Sequence, residues 1–265
     1  MLERFSHSGI QSYMKCPAQF KFRYVDHIRK KDEGIEAFLG NRVHETLEYL
    51  YNQVKNGVVP LVDELLLRHR SLWKDKWHDR IAVVYQNKTP IDYFYLGEKC
   101  IAKFYRQHYP FEENVIANEH EMLFYLDGDK NYTIKGIVDR LDHDGEGNWE
   151  IHDYKTGKRA FSQNEADKDP QLALYQIGLM HETENIKSVK LVWHFLQAGI
   201  KVESNRSSDA LRSLTQKTKK SIDEIQSKIQ HGGEFSAKES ILCNWCYYWD
   251  ECPGKSETNP FIRNS

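Results

Sequence analysis

Asp139, Asp153 and Lys155 are the residues whose types and spacing could do chemistry most directly. Two converging carboxylates can hold a hard cation such as Mg²⁺ or Mn²⁺ through oxygen. A cation held in this way lowers the pKa of a bound water and neutralises phosphate charge, which is what phosphodiester hydrolysis needs. A lysine beside it can orient the water and stabilise charge that develops in the transition state. Asp-x-Lys alone is a weak signal, since a surface hairpin with incidental charges reads the same. Here, however, Asp153 and Lys155 follow Trp149 and Ile151 in an otherwise apolar run, where a strand leaves a core. Gly157 permits a turn directly afterwards.

Cysteines make a second set. Cys243, Cys246 and Cys252 are bunched late in the chain, Cys16 lies near its start, and a proline follows both Cys16 and Cys252. Four thiolates suit Zn²⁺ or an iron–sulfur cluster. The paired Cys-x2-Cys knuckles of a zinc ribbon are not formed, because one cysteine is remote from the other three. The fifth, Cys100, sits beside Ile101 in a helical pattern and reads as a buried small apolar residue. An odd total argues against a disulfide framework.

These groups need elements to position them. Ser6 and Ser8 are candidate caps for a first helix carrying Ile10, Tyr13, Phe20 and Tyr24. Apolar spacing predicts further helices over 39–54, 61–85, 93–109, 171–180 and 207–229. Alternation and turn residues predict strands over 119–126, 132–141 and 149–154 as an antiparallel meander, then a strand over 189–196 with 200–203 as its hairpin partner. Asp139 ends the second strand, and Asp153 and Lys155 lie two apart on the third, so they share a face. Adjacent strands run about 4.8 Å apart, so Asp139 and Asp153 can converge. The element order implies an α/β fold, a mixed sheet covered by helices in layers. It is expected to form one domain over 1–265: a mainly helical part over 1–110, the catalytic sheet over 111–205, and a helix with the cysteine-rich region over 206–265.

Composition narrows the function classes. With 40% hydrophobic and 29% charged residues the chain can bury a core and is not disordered. It has neither a run of about 18 apolar residues nor a signal-peptide pattern at Met1–Ser6, so a cytoplasmic protein is expected. A net charge of −2 argues against a DNA coater driven by charge alone. Bound cations and local clusters, at Arg29–Lys31, Lys155–Arg159 and Lys217–Lys220, can still attract phosphate. No Gly-x-x-x-x-Gly-Lys-[Ser/Thr] motif is present, so any ATP-driven motor would be a separate subunit.

Four stretches in order resemble the motifs of RecB-like nucleases of the PD-(D/E)xK superfamily. They are Gly40-Asn41-Arg42-Val43-His44, Gly136-Ile137-Val138-Asp139-Arg140-Leu141, Asp153-Tyr154-Lys155-Thr156-Gly157 and Gln171-Leu172-Ala173-Leu174-Tyr175. The resemblance implies a restriction-endonuclease-like sheet core. It implies that His44, Asp139, Asp153 and the backbone carbonyl of Tyr154 ligate Mg²⁺ or Mn²⁺, that Lys155 is the catalytic lysine, and that Gln171 and Tyr175 face the site together and touch DNA or the lysine. Glu119 or Glu121 assists, and the sequence does not choose between them. One early cysteine and three late ones resemble the iron-staple nuclease domains of helicase–nuclease subunits and CRISPR spacer-acquisition exonucleases. That resemblance implies a 4Fe–4S cluster on Cys16, Cys243, Cys246 and Cys252, with Trp245, Tyr247, Tyr248 and Trp249 shielding it or offering stacking faces to single-stranded DNA.

The expected activity is thus a metal-dependent DNA exonuclease acting on DNA ends or single strands, in DNA repair and recombination or in CRISPR adaptation. Partner helicases or CRISPR-adaptation proteins fit the same resemblance. The alternatives are a catalytically silent DNA-end-binding module serving a helicase–nuclease complex, and a zinc-dependent structural protein with incidental carboxylates.

Overall fold

In the computed structural model, residues 2–255 are described. Ser6 accepts the Gly9 N–H and caps α1 (His7–Lys15). The expected first helix does not continue through Phe20 and Tyr24. It breaks at Cys16, which is extended at φ −153° and ψ 103°. Pro17 then opens α2 (Pro17–Phe20), followed by a π-turn over Lys21–Val25. The cause is local, because a residue before proline is pushed out of the helical region.

Three helices follow, α3 (Ile35–Lys55), α4 (Val62–Lys76) and α5 (Pro90–His108). The helix predicted over 61–85 stops early. Trp77 is extended, and Ile81 and Ala82 form a short strand, β2, parallel to β1 (Glu33–Gly34). That pairing joins residues nearly fifty positions apart and leaves no local periodicity to read.

The main sheet has the order β3–β4–β5–β6–β7. The meander is formed by β3 (Val115–Tyr125), β4 (Thr133–His143) and β5 (Asn148–Lys155), antiparallel throughout. From β5 the chain passes through α6 (Gln163–Ala166) and α7 (Pro170–Glu182) to β6 (Ser188–Phe195), which lies parallel to β5. The hairpin strand β7 (Ile200–Ser204) completes the sheet, and α8 (Ser208–Gln230) follows. The mixed sheet flanked by helices is the predicted α/β class.

Each face of the sheet has its own core. Met122, Phe124, Val138, Ile151, Leu191 and Trp193 pack with Leu172 and Leu179 of α7 and Ile222 and Ile225 of α8. On the other face, Tyr154 and Leu196 pack with Leu39, Val43, Leu47 and Leu50 of α3 and Ile101 and Phe104 of α5. Cys100 is fully buried in this second core, as its apolar neighbour suggested. Among the described residues no helix is long and apolar enough to cross a membrane.

Candidate active site

The sheet opens where the chemistry is expected. β4 and β5 pair from Arg140↔His152 to His143↔Trp149 and no further toward Asp139. Past that point the strands diverge, and side chains replace the ladder. The Asp139 carboxylate accepts the Tyr154 N–H at 2.7 Å. Alternation along β5 sends Ile151, Asp153 and Lys155 toward α7, and His152 and Tyr154 toward α3 and α5.

From α3, His44 reaches across this gap. Its Nε2 is 2.8 Å from the Tyr154 carbonyl oxygen, to which it donates when protonated there, and its Nδ1 is 3.5 Å from Asp139. Gly40, one turn earlier, brings α3 close to the exit of β5: a Cβ there would lie 3.4 Å from Thr156 Oγ1. His44 is thus one helical turn from the close approach that the motif requires.

Glu119 is the acid beside this centre. Flanking pairs Asn118↔Arg140 and His120↔Val138 set it opposite Asp139 across β3 and β4. It adopts φ +47°, rare for a residue with a side chain. Ligand atoms of His44, Glu119 and Asp139 all lie within 4.8 Å of one another. Glu121 is exposed and pairs with Lys135 at 2.9 Å, away from the site.

On the α7 side, Lys155 Nζ donates to Asp153 at 2.9 Å and to Gln171 Oε1 at 3.0 Å, and Gln171 Nε2 donates to Asp153 Oδ1 at 3.0 Å. These three side chains close a ring of hydrogen bonds. Gln171 is fixed by the start of its own helix, where Asp169 is the N-cap, Pro170 the first residue, and Asp169 accepts the Gln171 N–H at 3.0 Å. Neither Asp169 nor Pro170 is a functional candidate from its type, yet Asp-Pro-Gln is a helix-start signal that places Gln171. Tyr175, one turn later, lies on Gly136: a Cβ at 136 would be 2.6 Å from Tyr175 Cε1. The glycine is needed for this contact.

The electrostatics favour a bound cation. Burial opposes charge on His44, but Asp139 outweighs it and raises the imidazole to about 9. Burial likewise disfavours the Asp139 carboxylate, while His44 and the Tyr154 N–H hold it below its ordinary value. Burial pushes Glu119 up to about 7, with help from the Asp139 charge. Burial also raises Asp153, to about 6, against the pull of Lys155. An ionised Asp139 offset by a protonated imidazole, with Glu119 and Asp153 resisting ionisation beside it, forms a donor set that a divalent metal would fit.

Cys16, Cys243, Cys246 and Cys252 line one cavity of about 210 Å³, with Gln19, Phe22 and Trp245 in its wall. N–H donors point at three sulfurs: Lys238 N at Cys16, Ser240 N at Cys243 and Gln19 Nε2 at Cys246, at 3.5, 3.4 and 3.7 Å. Tyr248 and Trp249 are buried, and Tyr248 donates to the Ile28 carbonyl.

Comparisons with known proteins bear on the family and the fold. The chain is similar to a crystal structure described as "putative exonuclease" from Eubacterium rectale. The TM-score is 0.56 at 12% identity, over 93% of this chain and 88% of that one, which speaks to the fold alone. A second structure, SSO0001, is similar at a TM-score of 0.41 and 12% identity, over 97% of this chain and 89% of that one. A search of curated proteins gives no match. The model of the PD-(D/E)XK nuclease superfamily matches residues 4–253, a span that takes in His44, Asp139, Asp153, Lys155 and Gln171, and the chain belongs to that superfamily.

Proposed function

We propose that this nuclease is of the RecB-like type and acts as a divalent-metal-dependent exonuclease on DNA ends or single strands. Recombinational repair and CRISPR adaptation are the settings that fit it, with a helicase or CRISPR-adaptation protein as partner and the cytoplasm as its place. One observation carries the reading. Lys155 is held by Asp153 and Gln171 at the open end of β5, beside converging His44, Glu119 and Asp139.

Mg²⁺ or Mn²⁺ held by His44, Asp139, Asp153 and the Tyr154 carbonyl would supply an activated water and a polarised phosphate. The side chains do the rest. His44 gives up its proton as the site fills. Glu119, poised near neutrality by burial, can take or release one. Lys155 offers N–H donors to a phosphate oxygen, and Gln171 keeps its ammonium aimed. Tyr175 lines a cavity of about 360 Å³ with Arg4, His7, Tyr24 and Lys135. Aromatic faces interleaved with cations suit a stacked base and its phosphate.

A 4Fe–4S cluster on Cys16, Cys243, Cys246 and Cys252 is part of the same proposal. N–H groups aimed at sulfur suit a cluster that carries negative charge. Among the described residues no three cysteine sulfurs lie within 4.8 Å of one another. A zinc ion on the same four sulfurs is the alternative to the proposed cluster. The cluster's role is to staple the two ends of the chain, and the burial of Tyr248 and Trp249 supports shielding rather than base stacking. Aerobically purified protein should be brown. Colourless protein containing stoichiometric zinc would overturn the cluster.

The test of the activity is a time course with Mn²⁺ on DNA labelled at either end, single- and double-stranded, linear and circular. Progressive loss from one end, with closed circles intact, is expected. Rapid cutting of circles would overturn the exonuclease reading, and tight binding to ends without cutting would identify a silent end-binding module.

A further inference from the structure

The first helix, α1, carries a polar stripe on the side it turns away from the core. Ile10 and Tyr13 are buried beneath it. Ser8, Gln11, Ser12 and Lys15, three and four positions apart, form the opposite face. Gln19 of α2 and Arg23 of the π-turn continue the stripe at the same spacing. A face of this kind is ordinarily just solvated. This one lines a groove of about 460 Å³ instead, together with Asp169 and Pro170 at the start of α7 and with Tyr247 and Tyr248.

Position ties the groove to the nuclease centre. His7 and Ser8 line it and also the cavity of about 360 Å³ that holds Tyr175. Burial lowers the His7 imidazole to about 4, helped by the Lys155 charge and then by that of Lys15. The catalytic lysine and the far end of α1 therefore both act on the residue at the junction. At its other end the groove meets the cysteine cavity, which Lys15 and Gln19 also line.

Charge points the same way. Across the two joined cavities, Arg4, Lys15, Arg23 and Lys135 stand against one carboxylate, Asp169. That carboxylate is engaged as the N-cap of α7, where it accepts the Gln171 N–H. The chain as a whole, by contrast, has a net charge of −2. Tyr24 and Tyr175 in one cavity and Tyr247 in the other set rings beside these cations. Unpaired bases stack on such rings, whereas bases inside a duplex already stack on one another.

We propose that this groove is the track of a single DNA strand, running from the nuclease centre over His7 and along α1 to Arg23. The assignment rests on the nuclease reading above. Lys15 and Arg23 hold phosphates, Ser8, Gln11 and Ser12 offer neutral hydrogen bonds to the strand, and Tyr247 takes a base. From His7 to Lys15 the helix rises about 12 Å, so the track holds a few nucleotides and selects a frayed or single-stranded end over a closed duplex.

Binding of fluorescent oligothymidylate is measured by anisotropy over a range of salt, with divalent metal omitted so that no strand is cut. Two doubly substituted proteins are compared with the parent. One carries Lys15→Gln and Arg23→Gln. The other carries Lys74→Gln and Lys76→Gln, which remove the same charge from the end of α4, a helix packed on the other face of the sheet. All four side chains are exposed, so both proteins are expected to fold. The slope of log affinity against log salt should flatten by about 0.7 for each track cation lost, and keep the parent's value in the α4 protein. A closed hairpin duplex should lose less affinity than the single strand when the track is substituted. Parental affinity and slope in the track protein, an equal loss in the α4 protein, or an equal loss on the closed duplex would overturn the track. A parent that does not bind the single strand at all would overturn the substrate reading beneath it, and the track with it.

Discussion

The Asp139 carboxylate accepts the backbone N–H of Tyr154 at 2.7 Å, where β4 and β5 have stopped pairing. One side chain therefore does two jobs: it replaces a ladder bond, and it faces His44 and Glu119. Substitution separates the two. Asp139→Asn keeps an oxygen for the Tyr154 N–H and should melt close to the parent, yet lose cleavage by about 10²–10³-fold or more. The His44 titration, watched by NMR, should fall from about 9 toward its ordinary 6.5. Asp139→Ala also orphans the N–H and should cost a further 1–3 kcal/mol or so in denaturant unfolding.

Metal binding should strengthen with pH. His44 carries its proton up to about 9 in the metal-free protein, so between pH 6 and 9 a metal that uses it must displace a proton. Apparent affinity should then rise by about tenfold per pH unit over that range. Below about 6, Asp153 also protonates, and the dependence should steepen. Calorimetry in buffers of different ionisation enthalpy counts the protons released. Binding that is flat from pH 6 to 9 would remove His44 from the ligand set.

Lys155 and Gln171 should differ in weight. Lys155→Ala removes the ammonium aimed at substrate and should slow cutting by about 10²–10³. It also removes the cation that opposes burial at Asp153, whose pKa should rise further above about 6. Gln171→Ala removes a group that only aims the others and should cost about 10–100-fold. Single-turnover rates at saturating metal check the ranking.

Gly136 and Tyr175 should be energetically coupled. In Gly136→Ala the new Cβ would meet the Tyr175 ring at 2.6 Å, so the ring must move. Overpacking of this kind costs about 1–3 kcal/mol. Tyr175→Leu in the same chain should return part of that loss, and a double-mutant cycle on urea midpoints would show the coupling.

Much of the site could be read in the sequence, for a simple reason. Asp153 and Lys155 obey strict alternation on a regular strand, so their shared face follows from spacing. Gln171 and Tyr175 obey helical spacing. His44 stands out by resemblance alone, because nothing local distinguishes it from a surface histidine on α3. Glu119 and Glu121 could not be told apart, since alternation places both on one face. The register separates them: Glu119 lies level with Asp139, whereas Glu121 lies opposite Ile137 and pairs with Lys135, and only the folded sheet shows it. The helix predicted over 61–85 overran because Ile81 and Ala82 are claimed by Glu33 and Gly34, a distant pairing. The break at Cys16 was different: Cys-Pro carries the signal in full, and weighing the proline above the apolar spacing would have found it.

The most direct test of the account is cleavage of end-labelled linear DNA in Mn²⁺ by the parent, Asp153→Ala and Lys155→Ala, alongside a chelator control. The account predicts that the parent cuts only with the metal and that both variants are reduced at least 10²-fold while remaining folded. Variants that cut as fast as the parent, or a parent indifferent to chelation, would contradict it.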